Sequence, residues 1–212
     1  MSWKKEISQI KLREKLAKQQ GGSEAVKVQH DKGRLTLRER IDLLLDKDSF
    51  DEIGKVAGGA EYDDEGNLLS LTPANFILGF GKIEGQDVIV GGEDFTVKGG
   101  SPNAAGLRKS VYTEDLAVKH KFPLVRLHEG GGGSVAGPSK EKKGYGGDPV
   151  FARSRFKSVA QTLKEVPVVS AALGPVAGLP ASRFVGSHFR IMVKDNAQIL
   201  SLIHISEPTR LN

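Results

Sequence analysis

The chain has 212 residues, a formal net charge of +5 and no cysteine, which excludes disulfides, thiolate metal sites and a cysteine nucleophile. That length suits one ordinary domain or somewhat more, and with no run of eighteen apolar residues no membrane span is expected. Lys and Arg are scattered, densest at Lys140–Lys143, without the aromatic interleaving of a nucleic-acid surface; they suit a solvated face or a phosphorylated small molecule.

Residues 3–20 predict an amphipathic helix with Trp3, Ile7 and Ile10 on one face. The segment has no apolar h-region, so no secretory signal is expected and the expected location is cytoplasmic. Gly21-Gly22 ends this helix, and Ser23 caps a shorter one reaching about His30, stopped by Gly33. Thr36-Leu37-Arg38-Glu39 is a T-x-x-E capping box that opens a third helix with Ile41, Leu44 and Leu45 as its apolar face. Residues 1–50 thus read as a helical arm, suited to packing on a partner subunit, rather than as core.

From about residue 52 the texture changes. Glu61–Asn67 is turn-like, Asn75–Phe80 reads as a strand, and Gly85-Gln86-Asp87 reads as a hairpin turn between Lys82-Ile83-Glu84 and Val88-Ile89-Val90. Ser101-Pro102 predicts a helix start, with Ser as the cap and Pro in the first turn, running to about Lys121 and carrying Arg108 and Lys109. Pro123–Leu127 is a short apolar strand followed by Gly130 to Gly133. Gly144–Pro149 is again Gly-rich, and a helix is expected over about Val150–Lys164, with Phe156 among its apolar positions. Val168–Leu173 predicts a second strand, after which Gly174-Pro175-Val176-Ala177-Gly178 reads as a second glycine-containing loop; Phe189–Val193 predicts a third strand. Hairpins followed by strand–helix units indicate a layered α/β arrangement.

Leu200 to Arg210, LSLIHISEPTR, looks like the conceptual translation of a sequencing-library adapter. On that expectation residues 200–212 are not native, the natural sequence ends near Ile199, and His204 and Glu207 are not candidates for chemistry.

The chemistry-bearing constellation is the pair of glycine loops, each after a strand. Free N–H groups in such loops bind an anion or a developing oxyanion. Gly130–Gly133 can offer two or more donors to one oxygen, and Gly174–Gly178 can open a helix whose N-terminus favours negative charge. Gly99-Gly100-Ser101, before the helix with Arg108 and Lys109, is similar to a phosphate cradle. No GxGxxG with strand–loop–helix spacing and no GxxxxGK[ST] occurs. A metal site from His128 and Glu129 is not expected, because neighbours on an extended chain face opposite ways; His128 reads better as a packed or hydrogen-bonded residue.

Gln29 to Asp46, QHDKGRLTLRERIDLLLD, then Ser49-Phe50-Asp51-Glu52, resembles the opening of the acyl-CoA carboxyltransferase family, the β subunits of propionyl-CoA, methylcrotonyl-CoA and related biotin-dependent carboxylases. The resemblance continues through Asp94–Ser101, the Arg108-Lys109 helix, the glycine loop and Gly174–Gly178, and covers residues 10–199. It implies a crotonase-like ββα superhelix over residues 51–199, incomplete and preceded by the helical arm. It implies carboxyl transfer from carboxybiotin, borne by a partner carrier domain, to the α-carbon of an acyl-CoA. Gly131, Gly132 and Gly133 would be the oxyanion donors; Ala177 and Gly178 would line the acyl pocket; Gly100, Ser101 and Lys109 would contact CoA. Biotin is thought to act as base in the family, so no side-chain base and no metal in this domain are implied. Implied partners are a biotin carboxylase or biotin carboxyl carrier subunit and further copies of the chain, a hexamer in the family. The family's second domain is absent, so this chain alone is expected to be inactive.

Two departures stand out. Where the family loop commonly reads Asp-Ser-Gly-Gly-Ala-Arg, this chain has Glu129 to Ser134, without the arginine; where the second motif continues Ala-Gly-Gly-Ala, it has Ala177-Gly178-Leu179-Pro180. Pro180 has no N–H, so a donor there must come from Gly178 or Leu179. An acyl-CoA decarboxylase subunit of the same fold and a non-catalytic CoA-binding assembly subunit are the alternative readings.

Overall fold

The computed structural model describes residues 3–130 and 155–200. The expectations for Gly131–Gly133, Lys140–Lys143, Gly144–Pro149 and residues 201–212 lie outside the described residues. In chain order the elements are α1 (Lys4–Ala17), α2 (Ser23–Asp31), α3 (Leu37–Leu44), β1 (Asp51–Glu52), β2 (Gly58–Tyr62), β3 (Leu68–Pro73), β4 (Phe76–Ile83), β5 (Gln86–Glu93), α4 (Ala104–His120), β6 (Leu124–Gly130), α5 (Arg155–Glu165), β7 (Val168–Ala177), α6 (Leu179–Val185), β8 (Phe189–Met192) and β9 (Gln198–Leu200).

The main sheet has the order β1-β4-β5-β6-β7-β8, with β9 also pairing β7; β2 and β3 form a separate antiparallel hairpin. β1–β4 and β4–β5 are antiparallel, and every pairing from β5 onward is parallel. The β4–β5 turn is Glu84-Gly85, both at positive φ (50° and 79°). That is the two-residue hairpin geometry matching strand twist, and it moves Gln86 and Asp87 from the expected turn into β5.

Parallel strands β5, β6 and β7 are covered on both faces, which explains their near-continuous apolar runs, whereas β8 is exposed. Side chains alternate along each strand. Phe76, Leu78, Ile89, Leu124 and Val168 pack with Leu116 and Ala117 of α4. Ile77, Val88, Val90 and Leu127 pack with Leu37, Ile41 and Leu45. The third helix therefore belongs to the core: the arm expected over residues 1–50 does not extend through α3, because its apolar face closes one side of the sheet. Thr36 caps α3 as expected, with both halves of the capping box formed.

Several local expectations shift for identifiable reasons. Ser23 is the first residue of α2 and Gly22 its cap. Asn103, not Ser101, caps α4, accepting from the Gly106 N–H at 2.7 Å. Phe156 is exposed, whereas Ser158 and Thr162 of α5 are buried. Gly174 to Ala177 form no loop: β7 continues through them, with Pro175, Val176 and Ala177 paired to β9 and Val176 to Gly130 of β6. Gly174 serves close approach rather than a turn, since a Cβ there would lie 2.5 Å from Glu129 Oε1. Only Gly178, at φ 69°, turns the chain into α6.

Candidate functional site

In open α/β sheets ligands bind beyond the carboxyl ends of the strands. Here β5, β6 and β7 run parallel and end at Glu93, Gly130 and Ala177. Three predicted positions meet there. Gly100 packs backbone to backbone on Gly130: a Cβ on Gly100 would lie 2.6 Å from Gly130 Cα and 2.7 Å from the Glu129 carbonyl oxygen. Gly130 pairs with Val176, which places Ala177 and Gly178 immediately beyond it.

Lys98, Gly99 and Gly100 all have positive φ (53°, 64° and 68°). Asn75 holds this turn from below. Its Nδ2 donates to the Gly100 carbonyl at 3.0 Å, and its Oδ1 accepts from the Asn103 N–H at 3.2 Å. Gly106 lets α4 approach, because a Cβ there would be 2.0 Å from Asn75 Oδ1. Ser101 Oγ is buried next to this junction with no hydrogen-bond partner among the described residues. The Gly178 N–H donates to the Leu200 carbonyl at 3.4 Å, and Pro180 has no N–H. Leu179, at the first turn of α6, is left as the nearest orphan helix donor. Gly131, Gly132 and Gly133 lie outside the described residues.

Lys109 goes elsewhere. It is 9% exposed, and its Nζ donates to the Gly54 carbonyl at 3.3 Å. Burial pulls its pKa down to about 8; Glu52 acts in the opposite sense and Arg38 in the same sense. Beside it Arg38 pairs with Glu52 through two hydrogen bonds of 2.8 and 3.1 Å. A more open cleft of about 360 Å³ lies between the β2–β3 hairpin and the start of α4, lined by Lys98, Asn103 and Arg108 among others.

Three buried ionic groups behind the strand ends were not foreseen. Glu129, facing α3, pairs with Arg34 at 3.4 Å and closely with Arg40. On the opposite face Glu114 of α4 accepts from Arg126 at 2.5 Å and from Arg183 at 2.8 Å, while Arg183 also reaches Ser110 Oγ at 3.1 Å. Beside that triad His128 Nδ1 lies 3.0 Å from Glu93 Oε2 and His128 Nε2 3.4 Å from Ser170 Oγ. Burial pushes the Glu93 carboxyl up, but the His128 charge and hydrogen bond, with Arg183 beyond, outweigh it and hold the group below the ordinary range. Asp94 is raised by burial, against the hydrogen bonds it accepts from Thr96. His128 and Glu129 do face opposite ways, as adjacent strand residues must. The sequence signal for the second and third groups was Arg126 and His128 at spacing two inside an apolar strand. Among the described residues no cluster of His, Asp and Glu could hold a metal ion, and no helix is long and apolar enough to cross a membrane.

The chain is mixed α/β with a parallel sheet and shares the crotonase-like fold of solved carboxyltransferases, as the resemblance implied. Residues 28–202 match the carboxyl transferase domain family, and the chain belongs to that family. It is 33% identical over 193 residues to the propionyl-CoA carboxylase beta chain of Roseobacter denitrificans, covering 90% of this chain and 36% of that protein. It is 31% identical over 190 residues to the methylmalonyl-CoA decarboxylase subunit alpha of Veillonella parvula, covering 89% of this chain and 36% of that one. A solved single-chain, multi-domain long-chain acyl-CoA carboxylase superposes with a TM-score of 0.71 at 26% identity, covering 88% of this chain and 19% of that one. The chain thus spans about a third of the length of the curated relatives it matches.

Proposed function

We propose that this chain is the acyl-CoA-binding part of a carboxyltransferase acting within a biotin-dependent acyl-CoA carboxylase. The observation that carries the reading is the meeting of Gly100, Gly130 and Ala177–Gly178 at the ends of three parallel strands, in a chain of the carboxyl transferase family. The donor set there is a hydroxyl and backbone N–H groups. That set suits a thioester oxygen that gains charge as its α-carbon is deprotonated. Gly131, Gly132 and Gly133 follow Gly130 directly and are assigned the enolate oxygen; Ala177 and Gly178 line the acyl group, with Gly100 and Ser101 flanking it.

The cleft lined by Lys98 and Arg108 suits the CoA phosphates, since both side chains are exposed cations. Lys109 is the weakest member of the CoA set, because its Nζ is directed at Gly54. Biotin, borne by a biotin carboxyl carrier partner, supplies the carboxyl group when bound. The chain's own residues hold the thioester, orient its α-carbon and stabilise the charge. Further copies of the chain, as a hexamer, belong to the same proposal.

In the assembled enzyme, Gly132→Val is expected to lower kcat by roughly 100-fold or more, the usual effect of losing an oxyanion donor, with acyl-CoA still bound. Unchanged turnover would favour a non-catalytic CoA-binding subunit instead. A second reading, decarboxylation, is favoured by the likeness to the Veillonella subunit. Release of CO₂ from a carboxylated acyl-CoA without net carboxylation in the presence of ATP and bicarbonate would select it.

A further inference from the structure

A hydrogen-bond chain behind the strand ends can be counted proton by proton. Ser187 Oγ donates its single proton to the Arg183 carbonyl at 2.8 Å, since a carbonyl only accepts. Ser170 Oγ lies 2.6 Å from Ser187 Oγ. With the Ser187 proton committed, the Ser170 proton must go to Ser187. Ser170 Oγ then meets His128 Nε2 at 3.4 Å only as an acceptor, so this contact is a hydrogen bond only with the proton on Nε2. On the far side of the ring, Nδ1 faces Glu93 Oε2 at 3.0 Å. An ionised carboxylate also only accepts, so Nδ1 is protonated as well.

The surrounding charges favour an ionised Glu93. Arg126 of β6 and Arg183 of α6 share the single carboxylate of Glu114 on α4, leaving one positive charge in excess beside Glu93. Glu129 faces the other side of the sheet. Phe184 closes the ring edge-on, with centroids 6.4 Å apart. Ser170, His128 and Glu93 are laid out like a nucleophile triad, yet the proton count forbids that role: His128 Nε2 already holds the proton it would have to take from Ser170, and Ser170 is fully buried.

We infer that His128 is a standing imidazolium and a positioning residue. By donating from both ring nitrogens it ties the end of β5 to β7 across its own strand, and so fixes Gly130 against Gly100. Glu93 itself abuts Gly130, with its Cβ 3.3 Å from where a Gly130 Cβ would be. The consequence for turnover rests on the proposed function; the protonation state does not.

Long-range ¹H–¹⁵N correlation of the ring nitrogens tests it, the signal being assigned by its loss in His128→Gln. Both nitrogens are expected to be protonated at neutral pH. One unprotonated ring nitrogen at neutral pH would overturn the inference. Ser170→Ala, a mild change, is expected to expose the Nε2 proton to faster exchange and leave the Nδ1 proton in place; the reverse pattern would also overturn it. In the assembled enzyme Glu93→Gln is expected to lower kcat by about tenfold or more at unchanged KM, a small misplacement costing up to ~100-fold, and Glu93→Gln with His128→Asn to recover much of it as a neutral pair. An unchanged kcat in Glu93→Gln would remove the positioning role. If the wild type transfers no carboxyl group, the proposed function fails, and the ring spectrum still decides this inference.

Discussion

At the scale of single residues, burial dictates the behaviour of the charges. Glu114 is fully buried between two guanidiniums, and its second oxygen has no partner among the described residues. Glu114→Gln leaves Arg126 and Arg183 without a counter-charge and should cost about 3 kcal/mol or more in a urea titration; a loss below about 1 kcal/mol would contradict the pairing. Lys109 is the opposite case, a cation held largely without a carboxylate. Its pKa is lowered to about 8 in the folded chain, whereas the unfolded lysine titrates near 10.4. The folded state therefore binds fewer protons between those values, and stability from this group rises with pH across that window. Below about pH 8 the penalty is complete, on the order of 3 kcal/mol. Lys109→Met should flatten the rise of unfolding free energy between about pH 8 and 10 relative to the wild type; parallel curves would contradict it. None of this was legible in the sequence, where Lys109 reads with Arg108 as part of a phosphate cradle. Which of two adjacent cations is buried depends on the helix face, and that face was unknown until α4 was placed.

At the scale of elements, the legible parts are those with local chemistry. The Thr36–Glu39 box specifies its own geometry, and the β4–β5 hairpin was legible in place, though its turn is Glu84-Gly85 rather than Gly85-Gln86-Asp87. The Gly174–Ala177 segment misled because glycine and proline normally punctuate; its reason, the Glu129 carboxylate packed on Gly174, lies 45 residues away in sequence (174 − 129). The start of α4 misled likewise, because Asn75, in the distant connection between β3 and β4, organises it. Asn75→Ala removes two hydrogen bonds from the Gly100–Asn103 turn and should cost about 2 kcal/mol. Gly106→Ala should destabilise the wild type through its contact with Asn75 Oδ1, yet be tolerated in the Asn75→Ala background. A double-mutant cycle reads that coupling, and additive costs would contradict the contact. Gly100→Ala, strained by its positive φ and by Gly130, is expected to lose about 2 kcal/mol or more with no such rescue.

At the scale of the whole molecule, three covered parallel strands present their carboxyl ends at one junction, and a turn from each neighbouring segment closes on it. The glycine run follows Gly130 in sequence, and the proposal assigns its backbone N–H groups to the enolate oxygen. The most direct test uses the complete carboxylase assembled with its biotin-bearing partner. ¹³C-bicarbonate, ATP and an acyl-CoA are supplied, and the label is followed by NMR. The account predicts ¹³C in a new carboxyl group on the α-carbon of the acyl-CoA, lost in Gly132→Val and absent when residues 1–199 are supplied without the second domain. Label transfer by residues 1–199 alone, or an assembled enzyme that binds acyl-CoA and loads biotin yet never labels the α-carbon, would contradict it.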